Sequence, residues 1–305
     1  MLLLLQAIIE DLCGPQELEV YLEEISRGGY DNKKGLIKNF PELLEKDVTS
    51  AALAENHEVI HLAMSKEAGI VSGLQVVKQI FSLIDPQVRV TQFVQDGDRV
   101  EPGTEVMQIQ GDLWSFLVGE RSALNFLCHL SGIATRTNDF VQAVKGTKAK
   151  ILDTRKTIPG FRVLAKQAVV HGGGMNHRMG LWDMVLIKDN HVDTMGGIQG
   201  AVQAVRDKWG DKFPIEVETR NLDEVKEALK TKIDRIMLDN MSLEEMKEAV
   251  EVVNGACEVE ASGNVNLARV REIAQTGVDF ISIGGELTMS APRIDFSLKH
   301  KATLS

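Results

Sequence analysis

The sequence has little of what marks secreted, membrane-spanning or nucleic-acid-binding proteins. Only three cysteines, Cys13, Cys128 and Cys257, are spread through 305 residues. An odd, scattered set makes neither a disulfide framework nor a metal knuckle, and it suits a reducing compartment. Basic charge is in deficit, with 34 Lys+Arg against 44 Asp+Glu and a formal net charge of -10. Nucleic-acid binders normally present the opposite balance, so no nucleic-acid partner is expected. No apolar run approaches the ~18 residues of a membrane span, and no stretch is low in complexity. The opening MLLLLQAII lacks a basic n-region, meets Glu10 and Asp11 at once, and has no small-residue cleavage site. It predicts a buried or dimer-packing helix rather than a secretion signal. The chain is expected to be cytoplasmic, with no membrane partner.

What is present is organised in two styles. Residues 68–84 predict a turn and an amphipathic helix, with Val76, Val77, Ile80, Phe81 and Ile84 at helical spacing. Residues 88–110 predict short strands joined by tight turns at Asp96-Gly97-Asp98 and Pro102-Gly103. Residues 112–145 predict one or two helices with an apolar stripe at Leu124, Leu127, Leu130 and Ile133. After residue 150 apolar runs recur at 151–152, 184–187, 215–217, 236–238, 257–261 and 280–283. Helical stretches such as NLDEVKEALK and SLEEMKEAVEVV lie between the later ones, opening on Asn221 or Ser242 and then acidic residues. Regular strand–helix alternation predicts βα units and a parallel sheet.

Each run ends in polar residues: Asp153-Thr-Arg-Lys, Lys188-Asp-Asn-His, Glu218-Thr-Arg, Asp239-Asn, Ser262-Gly-Asn and Gly284-Gly-Glu. The carboxyl ends of barrel strands open on one face, so a βα barrel would gather all six at one mouth. An open doubly wound sheet would use only some of them at a switch point, and the barrel accounts for more of the pattern.

Between residues 151 and 190 six cations (Arg155, Lys156, Arg162, Lys166, Arg178, Lys188) face three anions (Asp153, Asp183, Asp189). Concentrated positive charge at strand ends of an acidic protein suits a small, highly anionic substrate. Arg155-Lys156 and His177-Arg178 are adjacent pairs able to serve different anionic groups, and Lys188 ends the next strand. Arg162 and Lys166, within a predicted helix, read as surface residues. Glu218 and Asp239 cannot attract an anion; ribose hydroxyls or a divalent cation carried on pyrophosphate are their natural partners. A helix N-cap is the plain alternative for Asp239. Ser262-Gly263 and Gly284-Gly285 occupy the barrel position where backbone N–H groups cradle phosphate. Gly172–Gly174 lacks the spacing of a dinucleotide loop, and His171, His177 and His191 match no common zinc pattern. His177 reads as a donor to substrate, while Asp153 and Glu260 are candidates to pair with barrel lysines.

Ten ordered motifs carry a family resemblance over residues 65–300. They are KEAGIVSGL, QDGDRVEPG, ERSALNFLCHLSGIAT, DTRKTIPG, GGGMNHRMGL, LIKDNH, EVET, LDN, EASGN and SAPRIDFSLK. On these the chain resembles the quinolinate phosphoribosyltransferase family, type II phosphoribosyltransferases of NAD biosynthesis. The resemblance implies an α/β protein: an N-terminal α/β sandwich over residues 1–128, completed by 287–305, and an incomplete α/β (TIM-like) barrel over 129–286. It implies transfer of phosphoribosyl from phosphoribosyl pyrophosphate to quinolinate, giving nicotinate mononucleotide, pyrophosphate and CO2.

Residue by residue, the resemblance makes Arg155, His177 and Arg178 binders of the quinolinate carboxylates, and Lys156 and Lys188 contacts to carboxylate and phosphate. Glu218 and Asp239 become ligands of the ribose and, through Mg2+, of pyrophosphate. Ser262, Gly263, Gly284 and Gly285 become the 5′-phosphate cradle. Arg121 resembles an arginine donated across a homodimer interface; whether dimers build hexamers is left open. Residues 12–46 depart from the family's short acidic segment before DVTS, Gln167 stands where an aromatic is frequent, and His171 stands near an expected cation. A paralogue acting on another base would keep the cradle but alter the dicarboxylate-binding cations, and Arg155 and His177-Arg178 are retained. A non-catalytic metabolite sensor would be expected to lose Glu218 or Lys188, and both are present.

Overall fold

A computed structural model describes residues 1–53 and 57–304. The chain forms two compact units, one of residues 1–135 with 292–305, the other of residues 136–291. The helix Leu113–Ala143, 31 residues long, runs through the division. Neither a loop nor a composition shift therefore marks the boundary in the sequence. Among the described residues no helix is long and apolar enough to cross a membrane.

In the first unit the strands are β1 (Glu58–Ser65), β2 (Gly69–Ile70), β3 (Arg89–Gln92), β4 (Arg99–Val100) and β5 (Glu105–Asp112). β1, β5 and β3 form an antiparallel sheet whose far edge, beyond β1, is the final strand Phe296–Leu304. The predicted helix is Leu74–Ile84, and it buries Val76, Val77, Ile80, Phe81 and Ile84, the residues at helical spacing. The apolar opening is the helix Leu2–Ile9, with Leu4, Leu5, Ile8 and Ile9 buried. Residues 12–46, outside the family pattern, contain the helices Pro15–Ser26 and Gly35–Asn39 and a 3-10 segment Pro41–Lys46.

In the second unit every apolar run becomes a strand: β6 (Lys150–Leu152), β7 (Val185–Ile187), β8 (Ile215–Thr219), β9 (Arg235–Asp239), β10 (Glu258–Ser262) and β11 (Phe280–Ser282). They form one parallel sheet in the order β6-β11-β10-β9-β8-β7. Beyond β6 the sheet continues as a single bridge, where Met175 N–H donates to Ile151 O at 2.8 Å and Asp153 N–H to Met175 O at 3.1 Å. No strand pairing joins β6 to β7 among the described residues. The α/β class is the expected one, with an antiparallel sheet in the first unit and this six-stranded parallel sheet in the second.

Alternation assigns the two faces of this sheet. Val217, Ile236, Leu238, Val259, Ala261 and Ile281 pack with helix residues such as Val225, Ala228, Met246, Ala249 and Ile273. The residues between them, Glu216, Glu218, Arg235, Met237, Asp239, Glu260, Ser262 and Ser282, take the opposite face. A strand buried on both sides normally reads as uninterrupted apolar sequence, so this polar parity marks the inner face as a site. The helix N-caps are Asn221, whose side chain accepts from Glu224 N–H, and Ser242, whose side chain accepts from Glu245 N–H. Asp239 is thereby free of capping duty.

Candidate active site

A cavity of about 280 Å³ opens at the carboxyl ends of these strands. Arg155, Lys156, His177, Arg178, Lys188, Glu218, Asp239 and Ser262 all line it, with Thr154, Met237, Glu260 and Ser282. An adjoining cavity of about 380 Å³ is lined by Ser262, Gly263, Gly284 and Gly285, with Asn240, Asn264 and Glu286. Thr154, Lys156, Asp239, Ser262 and Ser282 belong to both cavities. Residues more than a hundred positions apart are thus brought to one place. Arg121 is the exception: it is exposed on the helix Leu113–Ala143 of the first unit and lines neither cavity.

The cations fall into two groups. Lys188 Nζ donates to Glu218 Oε2 at 3.1 Å across the ends of β7 and β8. Arg155, Lys156 and Arg178 have no carboxylate at salt-bridge distance among the described residues. The buried Nε of Arg155 has no hydrogen-bond partner there either. Arg178 is anchored by an Nη1 donation to Met184 O at 3.3 Å, and burial, followed by the charge of nearby Arg155, lowers its pKa. Uncompensated, partly buried guanidiniums with an orphaned donor are costly unless an anion completes them.

The second cavity is shaped by backbone that only small or amide side chains allow. Gly263 has φ +93°, and a Cβ there would collide with Asn240 Oδ1. Asn240 and Asn264 adopt φ of 55° and 49°, the left-handed region that Asn tolerates better than most residues. Asn264 Nδ2 donates to Asn240 Oδ1 at 3.1 Å, and Asn240 Nδ2 donates to Asp239 Oδ2 at 2.9 Å, so the turn also holds Asp239. Lys156 stretches along Gly284, where an added Cβ would stand 3.2 Å from its Cδ. The paired motifs LDN and SGN hold this information in the sequence, and the structure adds Asn240 and Asn264 to the expected site residues.

Beneath the mouth lies a buried polar network. Lys166, read from sequence as a surface residue, is fully buried and ion-paired with Asp153, also fully buried. The helix Arg162–His171 turns this residue inward, between the buried Ala165 and Val169. Arg162 is half-buried rather than superficial: its Nε donates to Thr157 Oγ1 at 3.2 Å and its guanidinium reaches Arg155 O and Met179 O. Burial raises Asp153 to about 6 despite Lys166, and the same burial lowers Lys166. On the inner face of the sheet His177 Nε2 lies 2.8 Å from Glu216 Oε2 and 3.6 Å from Glu260 Oε2. Arg235 Nη1 donates to Glu260 Oε2 at 3.1 Å. Glu260 therefore pairs with Arg235 and His177, not with a lysine. Desolvation raises Glu216 to about 7 and Glu260 to about 8. His177, Glu216 and Glu260 have the spacing of a metal cluster, but the guanidinium of Arg235 already supplies positive charge there. Both nitrogens of His177 are spent within the protein, because Nδ1 accepts from Arg178 N–H at 2.7 Å. His177 lines the cavity without offering it a ring N–H.

A cavity of this composition joins an anion-binding rim to a glycine cradle across two carboxylates, and every residue lining it lies within a stretch that one family model matches. The quinolinate phosphoribosyl transferase C-terminal domain matches residues 133–299 and the N-terminal domain residues 47–131. The chain belongs to the quinolinate phosphoribosyltransferase family. It is 45% identical over 255 residues, 77% of this chain and 72% of the relative, to quinolinate phosphoribosyltransferase [decarboxylating] 2, mitochondrial, of Nicotiana glauca. It is 46% identical over 239 residues, 77% of this chain and 81% of the relative, to a probable nicotinate-nucleotide pyrophosphorylase [carboxylating] of Synechocystis. Among solved structures, the nicotinate-nucleotide pyrophosphorylase from Francisella tularensis is similar with TM-score 0.81 and 37% identity, covering 89% of this chain and 99% of that one. NadC from Streptococcus pyogenes is similar with TM-score 0.81 and 36% identity, covering 88% and 99%.

Proposed function

We propose that the chain transfers phosphoribosyl from phosphoribosyl pyrophosphate to the ring nitrogen of quinolinate, releasing pyrophosphate and CO2 to give nicotinate mononucleotide. The observation that carries this is the set of uncompensated cations, Arg155, Lys156 and Arg178, at the mouth of a protein of net charge -10. An anionic dicarboxylate supplies the missing counter-charge. Arg155 and Arg178 take its two carboxylates as planar bidentate partners. Lys156 spans both cavities and meets carboxylate on one side and phosphate on the other, and Lys188 completes the phosphate contacts. Ser262, Gly263, Gly284 and Gly285 hold the 5′-phosphate.

Positive charge developing at the ribose carbon is stabilised by Glu218 and Asp239, held ready by Lys188 and Asn240. After transfer the ring nitrogen is cationic, so the adjacent carboxylate leaves as CO2 and its electron pair stays on the ring carbon to take a proton. Two carboxylate donors, Glu218 and Asp239, fit Mg2+, which prefers hard oxygen ligands and keeps water and substrate phosphate in its shell. Bound, the ion would neutralise the departing pyrophosphate. We also assign Arg121 to the site of a second copy in a homodimer, on the family resemblance and its exposure, and a cytoplasmic location, on the scattered thiols.

The test is incubation of the protein with quinolinate, phosphoribosyl pyrophosphate and Mg2+. Nicotinate mononucleotide is expected, with nicotinate giving little or none in place of quinolinate. Equal turnover of nicotinate, or none of quinolinate, overturns the assignment.

A further inference from the structure

We infer that His177 serves this site as a positioning residue. Glu216 fixes its ring in the Nε2–H tautomer, so that Nδ1 caps the Arg178 backbone N–H and sets the guanidinium of Arg178 into the cavity. The inference rests on the assignment of Arg178 to a dicarboxylate substrate and goes beyond it, because it moves His177 from ligand-binding to support.

Each polar atom of His177 is held by a neighbour. Its backbone N–H donates to Asp153 Oδ1 at 2.9 Å, and its carbonyl accepts from Lys166 Nζ at 3.0 Å. At the ring, Nδ1 accepts from Arg178 N–H at 2.7 Å, so in the neutral imidazole the hydrogen sits on Nε2, 2.8 Å from Glu216 Oε2. Asp153, Lys166 and Glu216 have side chains fully shielded from solvent. A buried ring held at both nitrogens, on a backbone held at its N–H and its carbonyl, has no freedom to swing toward a ligand. Burial lowers the pKa of His177, which agrees with the neutral form. Metal-binding enzymes use the same logic, where a partner on one imidazole nitrogen decides what the other can do. Here the nitrogen so directed caps the peptide N–H from which a substrate-facing arginine departs.

Glu216 and Lys166 thus act through His177, and neither lines the cavity. A purely space-filling role for Glu216 would be satisfied by Leu. An acceptor role would be satisfied by Gln, which can present an oxygen at similar reach.

The test uses the full chain in three forms, wild type, Glu216→Gln and Glu216→Leu, with two readouts. Long-range proton–nitrogen spectra of histidine-labelled, substrate-free protein report the tautomer, with the His177 signals assigned by their absence in His177→Asn. The Nε2–H form is expected in wild type and Glu216→Gln. Steady-state kinetics then separate the substrates. Glu216→Leu is expected to raise KM for quinolinate at least tenfold while KM for phosphoribosyl pyrophosphate stays within twofold, and Glu216→Gln to restore most of the loss. An Nδ1–H or doubly protonated ring in wild type overturns the inference. So does a Glu216→Leu variant, folded by its melting curve, that binds quinolinate as wild type does or loses both substrates equally. If Glu216→Leu fails to fold, the tautomer of wild type and the quinolinate KM of Glu216→Gln decide alone. The tautomer readout needs no turnover, so a wild type inactive on quinolinate would count against the proposed function and leave this arm intact.

Discussion

Lys188 Nζ and Glu218 Oε2 meet at 3.1 Å between the ends of neighbouring strands, joining an exposed cation to a mostly buried carboxylate. The pair holds an acid beside the cations of the mouth, and on the proposed function Lys188 exchanges Glu218 for a substrate phosphate. Replacing Glu218 with Gln frees Lys188 while removing the negative charge from the ribose side. The expected outcome is a fall in kcat of about 10²–10³ with a raised KM for phosphoribosyl pyrophosphate and little change in KM for quinolinate, measured by steady-state nucleotide formation. A rise in KM with kcat unchanged would leave Glu218 a binding role alone.

The Asp153–Lys166 pair sits where neither charge sees water. Lys166→Met leaves Asp153 buried without its cation, and the expected loss is about 3–5 kcal/mol, read from denaturant unfolding. The double variant Asp153→Asn/Lys166→Met removes both charges and should recover a large part of that loss. Additive losses would mean that the pair contributes only volume.

At Gly263 the backbone is left-handed, and an added Cβ would collide with Asn240 Oδ1. Gly263→Ala is expected to push Asn240 aside, release Asp239 from its 2.9 Å hydrogen bond and spoil the cradle together. Calorimetric titration with phosphoribosyl pyrophosphate should show affinity lowered tenfold or more, with quinolinate affinity nearly kept. Equal affinity for the phosphoribosyl donor would remove the turn from the phosphate site.

Glu260 gives a pH signature. Its pKa is raised from 4.5 to about 8, by desolvation first and by Glu216 second. The fold therefore favours the protonated acid, and that contribution is complete below about pH 4.5 and lost as pH rises through about 8. Glu260→Gln stays neutral throughout. Its melting temperature relative to wild type should climb steadily between pH 5 and 9, on the order of a few kcal/mol in stability. A constant difference across that range would show that Glu260 is ionised throughout.

Much of this architecture was legible in the sequence for a simple reason. Buried parallel strands are short apolar runs, and the residues that end them are free to be chemical, so Asp153, Lys188, Glu218, Asp239 and Ser262 stood out by position. The inner face of the sheet was harder. Glu216 and Glu260 lie two residues before Glu218 and Ser262, and period-two alternation places them on the same face. The pattern marks Glu260 as a partner for a barrel lysine and gives Glu216 no role; only the fold supplies the actual partners, Arg235 and His177 for Glu260 and His177 for Glu216. Composition ranks lysine as a surface residue, and only the tertiary position of Asp153 turns Lys166 inward. Asn240 and Asn264 carry no periodic signal, because a left-handed backbone leaves only an amide where glycine would also serve.

The most direct measurement follows the fate of one carboxylate. Quinolinate carrying labelled carbon in its 2-carboxylate, given to the protein with Mg2+, should release labelled CO2 only when phosphoribosyl pyrophosphate is added, one for each nicotinate mononucleotide formed. Arg155→Ala and Arg178→Ala should each slow that release by orders of magnitude. Release without the phosphoribosyl donor, nucleotide that keeps the label, or undiminished rates in both arginine variants would contradict the account.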